Sequence, residues 1–372
     1  MRNTLLLILL AVVLGGVSCK INRPENTEVE GSDITVDANL LRMVDCGDFI
    51  YAEVRANPED SIALATYAIV DSGVEPKNIP QGCIVINAPL QRSVVSSSVH
   101  TAGINELGML SGVAGVADVS YYPVGDPVLD AVKEGKIKNI GSSLAPDIEK
   151  IIDLNADGIV VTPFEGEGYN ELKKIGVPMI LMTDYLESTP LGRAEWLVFI
   201  GAIYGKYDEA LRIYQQVSEK YQRLRVCANK SDDEPLVITE KPISGVWYVP
   251  GGGSYMATMI SDAGATYPWV KTKECGSIPQ DVSSVIDAAD EADYWLIKDA
   301  KDIDSKSLLA EVPHAKAFSA FPKNVYVCNT IEKPYFNAAA FHPELILSDM
   351  VNIFHTNECG GDSVLHFFRP LE

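Results

Sequence analysis

A long helical pattern between Ser188 and Cys227 constrains the fold of this chain more than any other feature. Thr189 suits the N-cap, and Pro190 suits the first helical position, where its missing N–H costs no hydrogen bond. From Trp196 onward, apolar residues recur three and four positions apart, as on the buried face of a helix. Gly205 predicts a bend or a break, and without one the helix would be roughly 50 Å long. Such a segment in mid-chain is typical of a strut between two lobes.

The segments on either side of this helix alternate between short apolar runs and helical patterns. Before the helix, strands are predicted over 93–95, 113–119, 136–140, 158–162 and 178–182, with helices over 101–110, 147–154 and 167–175. After it, strands are predicted over 236–238, 246–249, 294–297 and 325–327, with helices over 255–262, 282–289 and 343–354. This alternation favours parallel sheets covered by helices. The sequence therefore predicts an α/β fold of two Rossmann-like lobes with mostly parallel sheets, joined by the long helix, with a ligand cleft between them.

The first nineteen residues have the composition of an export signal. A positive charge at Arg2 precedes an apolar run over 5–13 and a small-residue approach to Cys19. The position of Cys19 resembles a bacterial lipobox, so we expect this cysteine to carry a lipid, with plain secretion as the alternative. We assign residues 1–19 to the signal peptide, 20–37 to a flexible tether, 38–187 to the N-terminal lobe, 188–227 to the interlobe helix and 228–372 to the C-terminal lobe. Extra strands over 50–54, 63–70 and 83–86 form a β extension ahead of the first lobe.

Charge and cysteine content exclude several kinds of site. The chain has 51 acidic and 30 basic residues and a net charge of −21, which argues against nucleic acid as a partner. No cysteine belongs to a C-x-x-C pair, so neither a zinc knuckle nor a redox motif is predicted. Cys46 and Cys83 are a candidate disulfide pair in an exported chain, and buried thiols are the alternative. The histidines lack the spacing of a metal site, and His100 is the best single candidate for an iron ligand, although a buried structural role is the stronger interpretation.

Several stretches occur in the order that is typical of one protein family. They are 94–98 with His100-Thr101, 107–108, 112–116, 140–141, 146–151 and 175–178 in the first half, and 247–264, 292–295 and His342-Pro343-Glu344 in the second. In these stretches the chain resembles the helical-backbone class of ABC-importer substrate-binding proteins, which includes binders of cobalamin, iron-siderophores and haem. The resemblance covers most of the chain and implies rigid lobes that close little around their ligand.

This resemblance implies an exported, lipid-anchored, monomeric receptor that captures an iron chelate, either a siderophore or haem. It would deliver the chelate to an ABC permease with its ATPase, from the periplasm or the cell exterior. A corrinoid such as cobalamin is the alternative ligand, and a surface lipoprotein that binds another protein is a second alternative. A metal chelatase is a weaker one. We expect no resident cofactor and no enzyme activity, because residues 96–98 lack a nucleophile elbow and no acid pair is predicted to face across a cleft.

The resemblance also implies site residues. In this class an acidic side chain on each lobe contacts the permease. The first falls on Glu149, and because an internal repeat places Ser283 at the corresponding position of the second lobe, Asp281 or Asp287 would take the second role. Arg92, Lys271 and Lys333 are available as basic residues for a chelate.

Aromatic residues on loops predicted to face the cleft are the candidate ligand contacts. Flat rings with a polar edge suit a large conjugated or macrocyclic ligand. These candidates are Tyr121, Tyr122, Phe164, Trp247, Tyr248, Tyr255, Tyr335 and Phe336. Core packing is the alternative, most of all for Trp247 and Phe164. The run Gly251–Gly253 matches no phosphate-binding pattern and predicts a turn that brings backbone close to the ligand.

Overall fold

The computed structural model describes residues 29–163, 167–355, 359 and 364–372. The signal peptide with Cys19 and the first part of the predicted tether lie outside these residues, as does Phe164. Within the described residues, none of the helices combines the length and the apolar character needed to span a bilayer.

The β extension ahead of the first lobe is a five-stranded sheet. Its strands, in spatial order, are β1 (Ser32–Asp33), β2 (Leu41–Asp45), β3 (Ile50–Val54), β4 (Ala65–Asp71) and β5 (Ile84–Ala88). All pairs are antiparallel except β4 with β5. Strands β3, β4 and β5 begin and end within two residues of the three predicted strands of the extension. One face of the sheet joins the main core, and the other covers a small apolar cluster around Phe49 and Tyr51.

Residues 29–37, which we assigned to the tether, are part of this folded extension. The carboxylate of Glu195 accepts hydrogen bonds of 2.8–2.9 Å from the backbone N–H groups of Val36, Asp37 and Ala38. The carboxylate of Glu187 likewise accepts hydrogen bonds from the backbone N–H groups of Asn39 and Leu40. Because these acids lie in the helical region more than 140 positions away, the sequence pattern of residues 29–37 gave no sign of the interaction.

The first lobe contains a parallel five-stranded sheet with helices on its faces, as predicted. Its elements are β6 (Ser93–Val95), α1 (Ser98–Glu106), β7 (Val113–Val116), α2 (Pro127–Lys133), β8 (Lys138–Asn139), β9 (Gly141–Ser142), β10 (Ala145–Pro146), α3 (Ile148–Asp153), β11 (Gly158–Val161), α4 (Glu167–Lys174) and β12 (Met179–Leu181). The sheet order is β12-β11-β6-β7-β8, and β9 with β10 forms a small hairpin. The pattern did not predict α2, whose N-cap is Asp126.

The predicted interlobe helix consists of three helices: α5 (Pro190–Ala194), α6 (Trp196–Ile203) and α7 (Tyr207–Ala228). The Thr189 hydroxyl caps the start, accepting a 3.0 Å hydrogen bond from the Gly192 N–H. The predicted break occurs at Gly205, whose φ of +66° favours glycine. Every residue of α6 is buried, because this helix lies between the β extension, α1 and α7. In contrast, α7 buries one stripe, which includes the predicted residues Tyr214 and Tyr221.

The second lobe contains two sheets. Its elements are β13 (Val237–Thr239), β14 (Pro242–Ile243), β15 (Val246–Pro250), α8 (Tyr255–Asp262), β16 (Ser277–Gln280), α9 (Val282–Ala289), β17 (Tyr294–Asp299), α10 (Ser305–Glu311), β18 (Val325–Asn329), α11 (Tyr335–Phe341), α12 (Pro343–Phe354) and β19 (Arg369–Pro370). Strands β13, β17 and β18 are parallel, and β19 pairs antiparallel with β18.

Strand β15 departs from the expected parallel arrangement and pairs antiparallel with β14 and β16. The two residues between β14 and β15, Ser244 and Gly245, both have positive φ. This geometry is that of a tight hairpin turn, and it reverses the chain at once. The second lobe therefore combines a mostly parallel sheet with a small antiparallel one.

The two lobes are packed against each other through apolar contacts. Helix α1 of the first lobe lies against α11 of the second, and Gly103 permits this approach because a Cβ there would lie 2.8 Å from the Phe341 ring. One continuous core includes residues from the β extension, both lobes and the interlobe helices. The second lobe adds a core of its own around Trp247 and Trp295. A shared core of this kind makes the lobes resist wide opening.

A disulfide joins Cys227, in α7, to Cys359, which follows α12. Cys46 and Cys83 are free thiols, so the pairing considered for them is wrong. Cys46 follows β2 and Cys83 precedes β5, and two strands lie between β2 and β5 in the sheet. Both thiols border the same apolar cluster without forming a disulfide.

Candidate ligand-binding cleft

The carboxyl ends of the parallel strands in both lobes carry the loops where the lobes meet. The N–H of Val124, in the loop between β7 and α2, donates a 3.0 Å hydrogen bond to the carbonyl of Ile331, which follows β18. At the other end of α1, Glu106 pairs with His342 at the start of α12, at 2.8 Å. Ligands of open α/β sheets bind at the carboxyl ends of the strands, so the junction at Val124 and Ile331 is the expected binding region.

A cavity of about 580 Å³ lies at this edge of the second lobe, within the range of about 300–1,000 Å³ for small-molecule sites. It is bordered by residues at the ends of β13, β17 and β18, together with residues from β14 to β16 and the start of α11. The lining residues are Glu240, Lys241, Ile243, Tyr248, Ser277, Lys298, Asp299, Ala300, Lys301, Thr330 and Phe336. Thr330 is next to Ile331, so the cavity adjoins the contact between the lobes.

Two of the predicted aromatic residues line the cavity. Tyr248 on β15 is 44% exposed, and Phe336 at the start of α11 is 50% exposed. The structure therefore brings together two rings that are distant in sequence and open to solvent. Ser277 and Thr330, which carry hydroxyl groups, line the same cavity, and the Thr330 hydroxyl donates a 3.1 Å hydrogen bond to the Asp299 carbonyl. Stacking surfaces next to hydrogen-bonding groups are what an amphipathic ring-shaped ligand requires.

Five charged residues, together with Ile243 and Ala300, form the rest of the cavity wall. Lys241 lies 2.9 Å from Asp299, and Lys298 forms an ion pair with Glu240. Burial would lower the pKa of Lys241, but the hydrogen bonds and charges of Glu311 and Asp299 outweigh this and raise it. Lys241 is therefore a fully charged ammonium held by carboxylates.

The remaining aromatic candidates occupy other positions. Tyr121 is 69% exposed on the first-lobe loop that precedes the Val124 contact. Tyr122 is buried, and its hydroxyl and that of Thr101 lie 2.9 Å apart. Trp247 is completely buried against Trp295, which is the core role considered as its alternative. Phe164 lies outside the described residues.

A buried ionic cluster lies beneath the junction of the lobes. It consists of His100 from α1, Asp184 from the turn that precedes the interlobe helices, and Arg193 from α5. Asp184 lies 2.8 Å from the His100 Nε2 and 3.1 Å from the Arg193 Nε. Burial alone would raise the pKa of Asp184, but the charges and hydrogen bonds of His100 and Arg193 hold it well below its usual value. His100 therefore has a buried structural role, as the stronger interpretation stated.

Tyr255 and Tyr335 extend this cluster into the second lobe. The Arg193 guanidinium lies over the Tyr255 ring at 4.6 Å from its centre, which is a cation–π contact. Tyr335 is buried, with Lys298 of the cavity wall 5.4 Å from its ring centre. Burial raises the pKa of the Tyr335 hydroxyl far above its ordinary value, and no other described residue hydrogen-bonds this hydroxyl. Tyr335 thus lies behind the cavity wall at Lys298, whereas Tyr255 contacts the buried ionic cluster.

The glycine run and Arg92 do not face the cavity. A Cβ on Gly251 or Gly252 would collide with the carbonyl oxygens of Glu274 and Val270. The sequence predicted that this glycine run lies close to a ligand. Instead, its backbone lies close to the chain's own segment 267–276. Arg92 precedes β6, at the opposite end of the first sheet, and its guanidinium donates to the Leu154 carbonyl.

The two predicted docking carboxylates lie on the surface. Glu149 is exposed in the first turn of α3, and Asp281 is exposed at the N-cap position of α9. Asp281 makes no capping hydrogen bond. Both side chains are accessible to a partner.

Sequence reasoning missed the charged residues of the cavity. Lys298 is the penultimate residue of β17, and Lys241 and Lys301 lie two residues beyond the ends of β13 and β17. The rule that ligands bind at the carboxyl ends of parallel strands could have identified them. The prediction ended β17 at Ile297, two residues too early, and so left these side chains unassigned. Within the described part of the chain, no group of three or more histidine, cysteine and acidic side chains is arranged to hold a metal ion.

Comparisons with known proteins agree with this fold. An uncharacterized lipoprotein of Methanocaldococcus jannaschii is 29% identical over 294 residues, which cover 76% of this chain and 69% of the relative. The crystal structure of a periplasmic heme binding protein from Pseudomonas aeruginosa is similar with a TM-score of 0.58 and 18% identity, over 74% of this chain and 96% of that one. The petrobactin-binding protein of Bacillus subtilis gives a TM-score of 0.56 and 18% identity, over 73% and 94%.

These two structures confirm the predicted fold of two α/β lobes joined by a helical segment. The family model described as periplasmic binding protein matches residues 94–322, which is more than half of the chain. Its members are binding proteins rather than enzymes. The protein therefore belongs to the periplasmic binding protein family, whose members bind substrates for ABC transporters.

Proposed function

We propose that this protein is an exported receptor that captures an iron chelate, either a siderophore or haem, for an ABC permease with its ATPase. The observation that carries the ligand class is the 580 Å³ cavity with two exposed rings, Tyr248 and Phe336, beside the hydroxyls of Ser277 and Thr330. A flat conjugated ligand can stack on the rings while its polar edge meets these hydroxyls and the lysines. The similar structures named for heme and petrobactin binding support a ligand of this kind.

The packing of the lobes supports a preformed site. Both lobes share one core, and the α1–α11 and Glu106–His342 contacts connect them directly. Wide hinge closure would break these contacts. The chelate therefore enters a site that is largely in place before binding, which lowers the cost of ordering.

Export and lipid attachment through Cys19 are part of the proposal. A disulfide between Cys227 and Cys359 suits an oxidising compartment outside the cytosol. The Methanocaldococcus relative is described as a lipoprotein. Glu149 and Asp281, both exposed, would contact the permease, and the receptor would act as a monomer.

Ligand titration followed by tryptophan fluorescence tests the proposal. The Trp295 indole N–H donates to the carbonyl of Glu240, a residue of the cavity wall, so a bound coloured chelate should quench its emission. Haemin, a ferric hydroxamate, a ferric catecholate and cyanocobalamin would each be titrated. We expect saturable quenching by at least one iron chelate.

Two variants and a control locate the site. Tyr248→Ala and Phe336→Ala should each weaken the binding of that chelate about three- to tenfold, because each removes one stacking surface. Tyr185→Ala is the control, since Tyr185 is 41% exposed and does not line the cavity. Saturable binding of cyanocobalamin alone would replace the iron chelate by a corrinoid. No response to any compound would overturn the proposal and favour a protein partner.

A further inference from the structure

We infer that the cavity selects chelates of low net charge, such as a neutral ferric trihydroxamate, and discriminates against multiply anionic ones. The inference rests on the proposed function, because it concerns the ligand of the same cavity. It follows from how the lysines of the wall are paired.

Each lysine of the wall already has a carboxylate partner. Lys241 lies 2.9 Å from Asp299 and also contacts Glu311. Lys298 pairs with Glu240, and Lys301 lies 3.6 Å from Glu311. The lining therefore presents three ammonium groups and two carboxylates, and Glu311 directly behind it completes the charge balance.

Burial makes the pairs of Lys241 and Lys298 costly to break, whereas Lys301 is 71% exposed. The side chains of Lys241 and Asp299 are each 12% exposed, and that of Lys298 is 11% exposed. Separating such a pair leaves one charge desolvated and uncompensated. An anionic ligand would have to separate one of these ion pairs, or else bind a lysine whose charge is still neutralised by its carboxylate. In either case the net electrostatic attraction between the ligand and the wall is small.

The net charge of the chelate then decides how tightly it binds. A ferric complex of three hydroxamates is neutral, whereas a ferric complex of three catecholates is a trianion. The neutral complex packs its aliphatic groups against Tyr248 and Phe336 and accepts hydrogen bonds from the wall without electrostatic cost. The trianion can also pack against the two rings, but it meets the carboxylates of Glu240 and Asp299.

Glu311 offers a way to change the charge without changing the shape of the cavity. Its side chain contacts Lys241 and Lys301 but does not line the cavity. It is the last residue of α10, where a negative charge is unfavourable to the helix dipole. Glu311→Gln should therefore leave the fold and the walls intact while giving the site a net positive charge.

The experiment compares neutral and anionic probes at low ionic strength with the full chain, by fluorescence titration or calorimetry. The probes are ferrichrome, which is a neutral ferric trihydroxamate, and ferric enterobactin, which is a trianionic catecholate. The wild type should bind ferrichrome about tenfold more tightly or better. Glu311→Gln should leave that affinity unchanged and strengthen binding of the trianion by about threefold per ligand charge, or roughly twentyfold, for a separation of about 7 Å in water. Added salt should remove the gain.

Glu219→Gln is the matched control, because it makes the same change in net charge at an exposed pair with Arg223 on α7. Glu240→Gln, which frees Lys298, is the second variant if Glu311→Gln does not fold. A wild type that prefers the trianion, or equal effects of the Glu311 and Glu219 substitutions, would overturn the charge selection and leave the proposed function standing. Absence of binding by any iron chelate would overturn the proposed function, and the charge selection with it.

Discussion

The substitution Asp184→Asn tests whether the buried ionic cluster stabilises the junction of the lobes. Asp184 is 1% exposed, and its carboxylate contacts His100 at 2.8 Å and Arg193 at 3.1 Å. Asparagine has the same shape but no charge. The variant therefore leaves the Arg193 guanidinium, which is 7% exposed, without a counter-charge.

The expected loss is about 3–5 kcal/mol in the free energy of unfolding, the range for removing one partner of a buried ion pair. The Tyr255 ring, 4.6 Å from the guanidinium, offsets part of this, because a desolvated cation–π contact contributes about 2 kcal/mol. Adding Arg193→Met should recover most of the loss, since both charges are then absent.

Equilibrium urea unfolding at neutral pH measures the effect, with Glu219→Gln as the control. Glu219 and Arg223 form an exposed pair, so its loss should cost less than about 1 kcal/mol. A cost for Asp184→Asn as small as that of the control would refute the reasoning. So would a double variant with Arg193→Met that is no more stable than the single one.

One further prediction concerns the contact between the two lobes, and another concerns docking on the permease. Burial lowers the pKa of His342, but Glu106 and Glu344 outweigh this and raise it to about 10, so the stabilisation should be complete below about pH 6.5 and lost as pH rises through 10. The wild type should therefore be more stable than His342→Gln by on the order of 2–4 kcal/mol in the free energy of unfolding at pH 6, and this difference should shrink toward pH 10. A difference that does not change with pH would contradict this account. Glu149→Ala should preserve ligand affinity but reduce permease-dependent uptake, and uptake equal to that of Asp153→Ala, on the same helix, would exclude a docking role for Glu149.

The elements predicted best are those whose signals are local. Helices α8, α9 and α12 begin and end at the predicted residues, because each combines an apolar period of 3.6 with a start signal such as Ser254 or Pro343. Gly205 marked the break in the interlobe segment for the same reason, since only the residue itself sets the cost of a positive φ.

The missed features depend on residues far apart in the chain. Lys298 and Glu240 are 58 positions apart, and Lys241 and Glu311 are 70 apart. The disulfide spans 132 positions. No local pattern predicts which lysine meets which carboxylate or which thiols meet, because these distances are set by sheet order and helix packing.

By itself, the sequence determined the class of the fold and the candidate aromatic residues, because periodicity and turn chemistry act over a few residues. Only the tertiary structure decided which aromatic residues form the binding surface. Tyr248 and Phe336 line the cavity, whereas Trp247 is in the core, although it is adjacent to Tyr248 in the chain. The reason is that successive residues of a strand point to opposite faces of the sheet, and the packing of α9 on this strand selects the face that is buried.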